Sequence, residues 1–131
     1  MSLLTRDQIL QAADLRTETV KVKEWSGEVR IAVMTGAQRD AWEQSLIGEK
    51  PGKPNIENAR ARLLAYCIVD EKGAPLFKAE DITQLGRKSG VALERCSRIA
   101  QKLNALTDRD LEDAAKNSDA APSDSSTSIS P

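Results

Sequence analysis

The chain has 131 residues, 40% of them hydrophobic and 30% charged, which suits one domain with a core and a well-solvated surface. Its 19 Lys and Arg against 20 Asp and Glu give a net charge of -1. That field is too weak to recruit nucleic acid, an anionic membrane or another polyanion.

Aromatic residues are only 3%, namely Trp25, Trp42, Tyr66 and Phe77. The core must therefore be built from Leu, Val, Ile and Ala, and no stacking platform for single strands is available. There is no histidine, which excludes imidazole acid–base chemistry, Ser-His-Asp and Cys-His nucleophiles and His-ligated metals. Two cysteines, Cys67 and Cys96, are too few for a zinc cluster or a disulfide framework. No apolar run approaches the roughly 18 residues of a membrane span. The opening MSLLTRDQIL lacks the apolar stretch and cleavage site of a signal peptide. A soluble, cytosolic protein with no catalytic, cofactor-binding or metal residues is expected.

Leu3 to Ala13 reads as a short helix with Thr5 as N-cap, Asp7 in the first turn, and Leu4, Ile9, Ala12 and Ala13 as a modest apolar face. The period then changes to two. Val20 and Val22 alternate with polar residues, as do Val29, Ile31 and Val33, and Trp25-Ser26-Gly27-Glu28 lies between them. This predicts a β-hairpin over about 19–33. A two-residue Ser26-Gly27 loop would set Val22 opposite Ile31 and Val20 opposite Val33 on one apolar face. A lone hairpin is marginal in water, so helices are expected to pack on it.

Thr35 and Gln38 form a capping-box pattern that opens a helix over about 36–46. The run Gly48-Glu49-Lys50-Pro51-Gly52-Lys53-Pro54 is an exposed loop. Asn55 is placed as the cap of a helix over 56–69, whose second half, Leu63 to Val69, is apolar nearly all round. Such a helix is the natural hub of a core. Asp70-Glu71-Lys72-Gly73 stops it, and Pro75 keeps Ala74 to Phe77 extended. A short helix over 80–86 turns Ile82 and Leu85 inward. Ser89 caps a helix over about 90–106 with the stripe Ala92, Cys96, Ile99, Leu103 and Leu106. A last helix is expected over 109–116, and residues 117–131, rich in serine, are expected to be disordered. The predicted class is α+β and mostly helical: one globular domain, 1–116, with the hairpin against about five helices, and a disordered tail.

Several constellations suggest chemistry and fall short of it. Gly48 with Gly52-Lys53 is not a phosphate loop, because the spacing is short and Pro54 stands where Ser or Thr is needed. Asp108, Asp110, Glu112 and Asp113 lack the glycine and spacing of a calcium loop, and suit the start of a helix. Arg60, Arg62, Arg87, Lys88, Arg95, Arg98 and Lys102 are interspersed with Glu57, Glu71, Glu80 and Glu94, the pattern of a mixed solvated face. Cys67 and Cys96 fall on apolar stripes, where thiols act as small hydrophobes. Trp25 has two readings: an indole folded back over a helix, or an anchor for a partner protein.

In order and length, the pieces resemble the tail assembly chaperones of long-tailed, lambda-like bacteriophages. The resemblance lies in Val20 to Ile31, in Thr35-Gly36-Ala37-Gln38-Arg39-Asp40-Ala41-Trp42-Glu43, in Ile68 to Phe77, in Asp81-Ile82 and Leu85, and in Leu103-Asn104. Ala32 departs from it, standing where an arginine is expected. It covers most of the stretch from Leu15 to Leu106. What it implies is a non-enzymatic protein of the host cytoplasm, of phage or prophage origin. Such a protein binds the long, helical tape-measure protein, keeps it soluble during tail morphogenesis and is absent from the mature virion. It also implies a longer frameshifted form whose extension recruits the tail-tube subunit, and apolar patches of such a holdase would pair in the absence of the client, so a homo-oligomer is expected. Neither nucleic acid nor membrane is an expected partner. The candidate partner-binding surface is the hairpin face, Val20, Val22, Ile31 and Val33, together with Trp25. The competing readings are a structural head–tail completion or tail-terminator component, and a small helical adaptor.

Overall fold

Two reciprocal capping boxes start the first two helices. Thr5 Oγ1 accepts from the Gln8 N–H at 3.2 Å while Gln8 Oε1 accepts from the Thr5 N–H at 2.9 Å, opening α1, Arg6–Gln11. Thr35 and Gln38 repeat the arrangement at 3.0 and 2.9 Å and open α2, Gly36–Ser45. Each box satisfies two N–H groups that would otherwise lack partners; the Thr35 box is the one read from the sequence, and the first helix, expected over Leu3 to Ala13, is confined to the residues after its Thr5 cap. The computed structural model describes residues 2–48, 52–53 and 55–106. The helix predicted over 109–116 and the tail 117–131 lie outside the described residues.

The hairpin forms between β1, Thr17–Val22, and β2, Gly27–Ala32, but in a different register from the predicted one. Val22 lies opposite Gly27 and Val20 opposite Val29. The loop is longer than two residues: Lys23–Trp25 make a 3-10 turn, and Ser26 takes the left-handed conformation (φ 54°) as its N–H returns to the Lys23 carbonyl at 3.1 Å. The shift from the expected pairing is an even number of residues. An even shift leaves every side chain on its expected face, so Val20, Val22 and Ile31 still point to the core.

The helix predicted over 56–69 is trimmed at both ends to α3, Ala59–Cys67. Asn55 does not cap it. Its amide instead ties the preceding loop, donating to the Ser45 carbonyl at 3.3 Å and accepting from the Glu57 N–H at 3.3 Å. Asn58, left-handed at φ 52°, precedes the helix and packs against Gly86, where a Cβ would collide with the Asn58 side chain. At the far end Ile68–Val69 leave the helix as β3 and pair with Ile31 and Arg30, giving a three-stranded antiparallel sheet in the order β1-β2-β3. Two consecutive β-branched residues favour the strand. The turn beyond them holds the strand in place: Asp70 Oδ1 accepts from the Lys72 and Ala74 N–H groups at 2.8 and 3.0 Å, and Gly73 adopts φ 89°. Pro75 then bridges back to Val69.

A 3-10 turn, Ala79–Asp81, leads into α4, Ile82–Leu85, and Ser89 Oγ caps α5, Gly90–Leu103, accepting from the Ala92 N–H at 3.2 Å. One face of the sheet rests on α3 and α5, and α2 and α4 pack against α3. In α3 only the start and Tyr66 escape full burial, so it is the hub the sequence indicates. Trp42 is the one buried residue of α2. Burial of a side chain that large is worth about 1.5–3 kcal/mol, while its indole N–H finds no acceptor among the described residues.

The end of α5 closes the structure. Ala105 is left-handed (φ 54°), its N–H bonds to the Lys102 carbonyl at 3.2 Å, and the Leu106 N–H bonds to the Gln101 carbonyl at 2.8 Å. This is a Schellman cap that folds Leu106 into the core. Beside it Asn104 is buried. Its Oδ1 accepts from the Met34 N–H at 2.8 Å, and its Nδ2 donates to the Ala100 carbonyl at 2.8 Å and to Cys67 Sγ at 3.6 Å. Arg39 of α2 donates to the Asn104 carbonyl at 3.0 Å.

Asn104→Ala strands the buried Met34 N–H, so a loss of about 1–3 kcal/mol is expected in urea unfolding. A loss below about 0.5 kcal/mol would mean that the clamp is incidental. Ala105→Gly removes the left-handed strain of a Cβ and is expected to raise stability by up to about 1 kcal/mol in the same measurement.

Candidate functional site

No cluster of three or more Cys, Asp or Glu that could hold a metal is found among the described residues. No helix among them is long and apolar enough to cross a membrane. The two thiols sit apart from any acid–base partner. Burial pushes Cys67 up to about 12, against the smaller opposing effect of the Asn104 hydrogen bond, and burial also raises Cys96. Both are free and buried, in the position of core hydrophobes. They are expected to react with a thiol reagent only on unfolding, on the timescale of denaturation rather than of mixing.

Of the candidate partner-binding residues, Val20, Val22 and Ile31 are buried beneath α3 and α5, and Val33 is half-buried. The apolar hairpin face that the sequence leaves uncovered is the face the sheet turns to its own core. Trp25 is half-buried in the 3-10 turn and leans on the core. It lines an open groove of about 400 Å³ with Leu76, Phe77, Leu85 and Lys88. Phe77 is partly buried against the core, whereas Leu76 is exposed.

The largest run of exposed apolar side chains lies elsewhere. Leu3 is 95% exposed, Leu4 68%, Ile9 56%, Leu10 65% and Leu15 50%. They lie on and around α1, which buries none of its residues. Periodicity locates that helix but does not reveal its surroundings, because an apolar face has the same spacing whether it meets a core or solvent. The signal within reach was the sparseness of the helix: six residues gain little by forming alone. The helix is fully capped at its start and buries none of its residues.

The outer face of α5 is ionic. Arg95 makes a bidentate pair with Glu24 of the hairpin turn at 2.5 and 3.0 Å. Glu94 is shared by Arg60 of α3 at 2.5 Å and Arg98 at 2.9 Å. Arg62, grouped by sequence with these cations, is instead buried and donates to the Asn55 carbonyl at 3.1 Å. The Arg95 hydrogen bonds hold Glu24 well down, at about 2 against an ordinary 4.5, and Arg60 followed by Arg98 lowers Glu94. A carboxyl lowered by folding stabilises fully above its ordinary value, and that stabilisation is lost as pH falls toward the folded value. Partly exposed pairs contribute little at neutral pH. Glu24→Gln is therefore expected to flatten the fall in Tm between about pH 4.5 and pH 2, as followed by circular dichroism. An unchanged acid limb would remove the Arg95–Glu24 pair from the account of acid stability.

No protein-family model matches the chain, and no curated protein does. Among solved structures the chain is similar to the bacteriophage HK97 tail assembly chaperone. The identity is 22% and the TM-score 0.54, over 78% of this chain and 95% of that one. What the two share is the overall fold.

Proposed function

We propose that this chain is a non-enzymatic chaperone of phage tail assembly, one that binds the tape-measure protein and keeps it soluble until a tail tube encloses it. The observation that carries the proposal is the α1 arm, capped and formed yet with Leu3, Leu4, Ile9 and Leu10 in solvent. The fold shared with the HK97 tail assembly chaperone supports it. A holdase needs apolar surface that can cover the apolar faces of a client's helices. It needs no catalytic group, and it works by mass action in many copies. On this reading the arm takes the place of the hairpin face as the primary client surface, with the groove beside Trp25 as a second contact. The chain acts in the host cytoplasm as a homo-oligomer and leaves before the virion is complete, and a longer form would recruit the tail-tube subunit.

Co-expression with the tape-measure protein tests this. The native chain is expected to move the long protein into the soluble fraction. The variant Leu3→Gln, Leu4→Gln, Ile9→Gln, Leu10→Gln is expected to lose that effect while unfolding within about 0.5 kcal/mol per site of the native chain, since none of the four is buried. Solubilisation by the variant equal to the native chain's would contradict the role of the arm. Detection of the chain in purified finished particles would favour a structural component of the virion.

A further inference from the structure

We propose that the groove beside Trp25 receives the α1 arm of a second copy of this chain, a resting contact that rests on the chaperone reading for the role of the arm and names what covers it between clients. Three secured segments build the groove. Trp25 stands in the 3-10 turn that the bidentate Arg95–Glu24 pair ties to α5. Leu76 and Phe77 follow the Val69–Pro75 bridge, and the Leu76 N–H donates to the Ile68 carbonyl at 3.0 Å. Leu85 of α4 makes the third wall. The resulting cleft of about 400 Å³ has room for roughly two or three aliphatic side chains, since about 150 Å³ accommodates a benzene ring. The chain carries a matching occupant: Leu3, Leu4, Ile9 and Leu10 are exposed on a capped arm that buries none of its helical residues. The charges match as well. Arg6 and Asp7 pair only with each other, in solvent, and the groove is flanked by Asp81 and Lys88. Lys88 makes no ion pair among the described residues. An arm lying in the groove can set Asp7 against Lys88 and Arg6 against Asp81, which gives the contact a direction.

The arm cannot lie in the groove of its own chain. The Arg16 carbonyl accepts from the Val33 N–H at 2.9 Å, which fixes the backbone where β1 begins. The free tether is Ala12 to Leu15, four residues that span at most about 14 Å. β1 alone, six residues from Thr17 to Val22, runs about 20 Å, and Trp25 lies beyond its far end. Ile9 and Leu10 fall short of that point, so a second copy must supply them. The contact is small. A helix of six residues cannot bury the roughly 1,200 Å² of a stable complex, and a dissociation constant on the order of 0.1–1 mM is expected. In a dilute sample the arm therefore stays in solvent. Where copies crowd along one client, effective concentrations reach the millimolar range, and arms that hold no client are covered by neighbouring grooves. So weak a cover yields to a client whose apolar helices are longer than α1.

Two complementary variants of the full chain test this with no client present, so the outcome is separate from whether the chain solubilises the tape-measure protein. Leu3→Gln with Leu4→Gln, Ile9→Gln and Leu10→Gln makes a receiver, which keeps the groove and lacks an apolar arm. Leu76→Asp makes a donor, which keeps the arm and blocks the groove; Leu76 is 53% exposed, so the core is spared. Unlabelled donor is added to nitrogen-labelled receiver from about 10 µM to about 1 mM, a range that brackets the expected constant. The Trp25 indole N–H and the amides of Phe77, Leu85 and Lys88 are expected to shift progressively with donor, while those of α3 stay in place. Lys88→Glu in the receiver should weaken the response about two- to fivefold, and Asp7→Lys in the donor should restore it. If Leu76→Asp misfolds, the native chain serves as donor in the same titration. No shift by the highest concentration would overturn the proposal. So would equal shifts from a donor that also carries the four glutamines, which would make another surface of the second copy the occupant.

Discussion

One buried amide holds the layers of this protein together. Asn104 connects the end of β2, the last turn of α5 and the middle of the core through Met34, Ala100 and Cys67, with Arg39 of α2 on its carbonyl. The first of these bonds spans 70 residues of sequence. A polar group in such a place stabilises only if every hydrogen-bonding atom finds a partner, and both amide protons and the oxygen of Asn104 do. The clamp also fixes where α5 stops. Asn104 is the C-cap residue of α5, and Ala105 takes a left-handed backbone as Leu106 re-enters the core.

That constraint explains the division of the molecule into a closed part and an open part. The sheet, α3 and α5 are closed: Val22, Ile31, Leu64, Cys67 and Cys96 are fully buried, and burial raises both thiols above their ordinary pKa. The open part is what the clamp does not reach. The α1 arm leaves the sheet at the free end of the hairpin, and Trp25 is at the opposite end, in the turn secured by the Arg95–Glu24 pair. A rigid body with an apolar arm and a half-buried indole suits a protein whose work is contact.

Much of the fold was legible because its signals are local. The Thr35 capping box, the Thr5 and Ser89 caps, the Gly73 turn and the inward Leu85 are read within a few residues, and the structure keeps them. What sequence misplaced depends on distant partners. The hairpin register turned on Ser26 accepting a left-handed backbone in place of Gly27. The end of α3 turned on Arg30 and Ile31 of β2 offering Ile68 and Val69 a place as a third strand, a competition that no window over Leu63 to Val69 can display. The site was less legible for the same reason. An alternating apolar face is identical in sequence whether it meets its own core, as Val20 and Val22 do, or a partner. Only burial distinguishes them.

The central claim is that the α1 arm is the element through which the chain holds its client. Hydrogen exchange, measured on the free chain and on its co-expressed complex with the tape-measure protein, tests it most directly. The amides of α1 and its flanks, residues 3–15, should exchange within the earliest times in the free chain, because α1 has no packing to protect it. They should become strongly protected in the complex, while the amides of α3 and α5 change little. Protection of the arm in the free chain, or a complex that leaves the arm as fast as before, would contradict the claim.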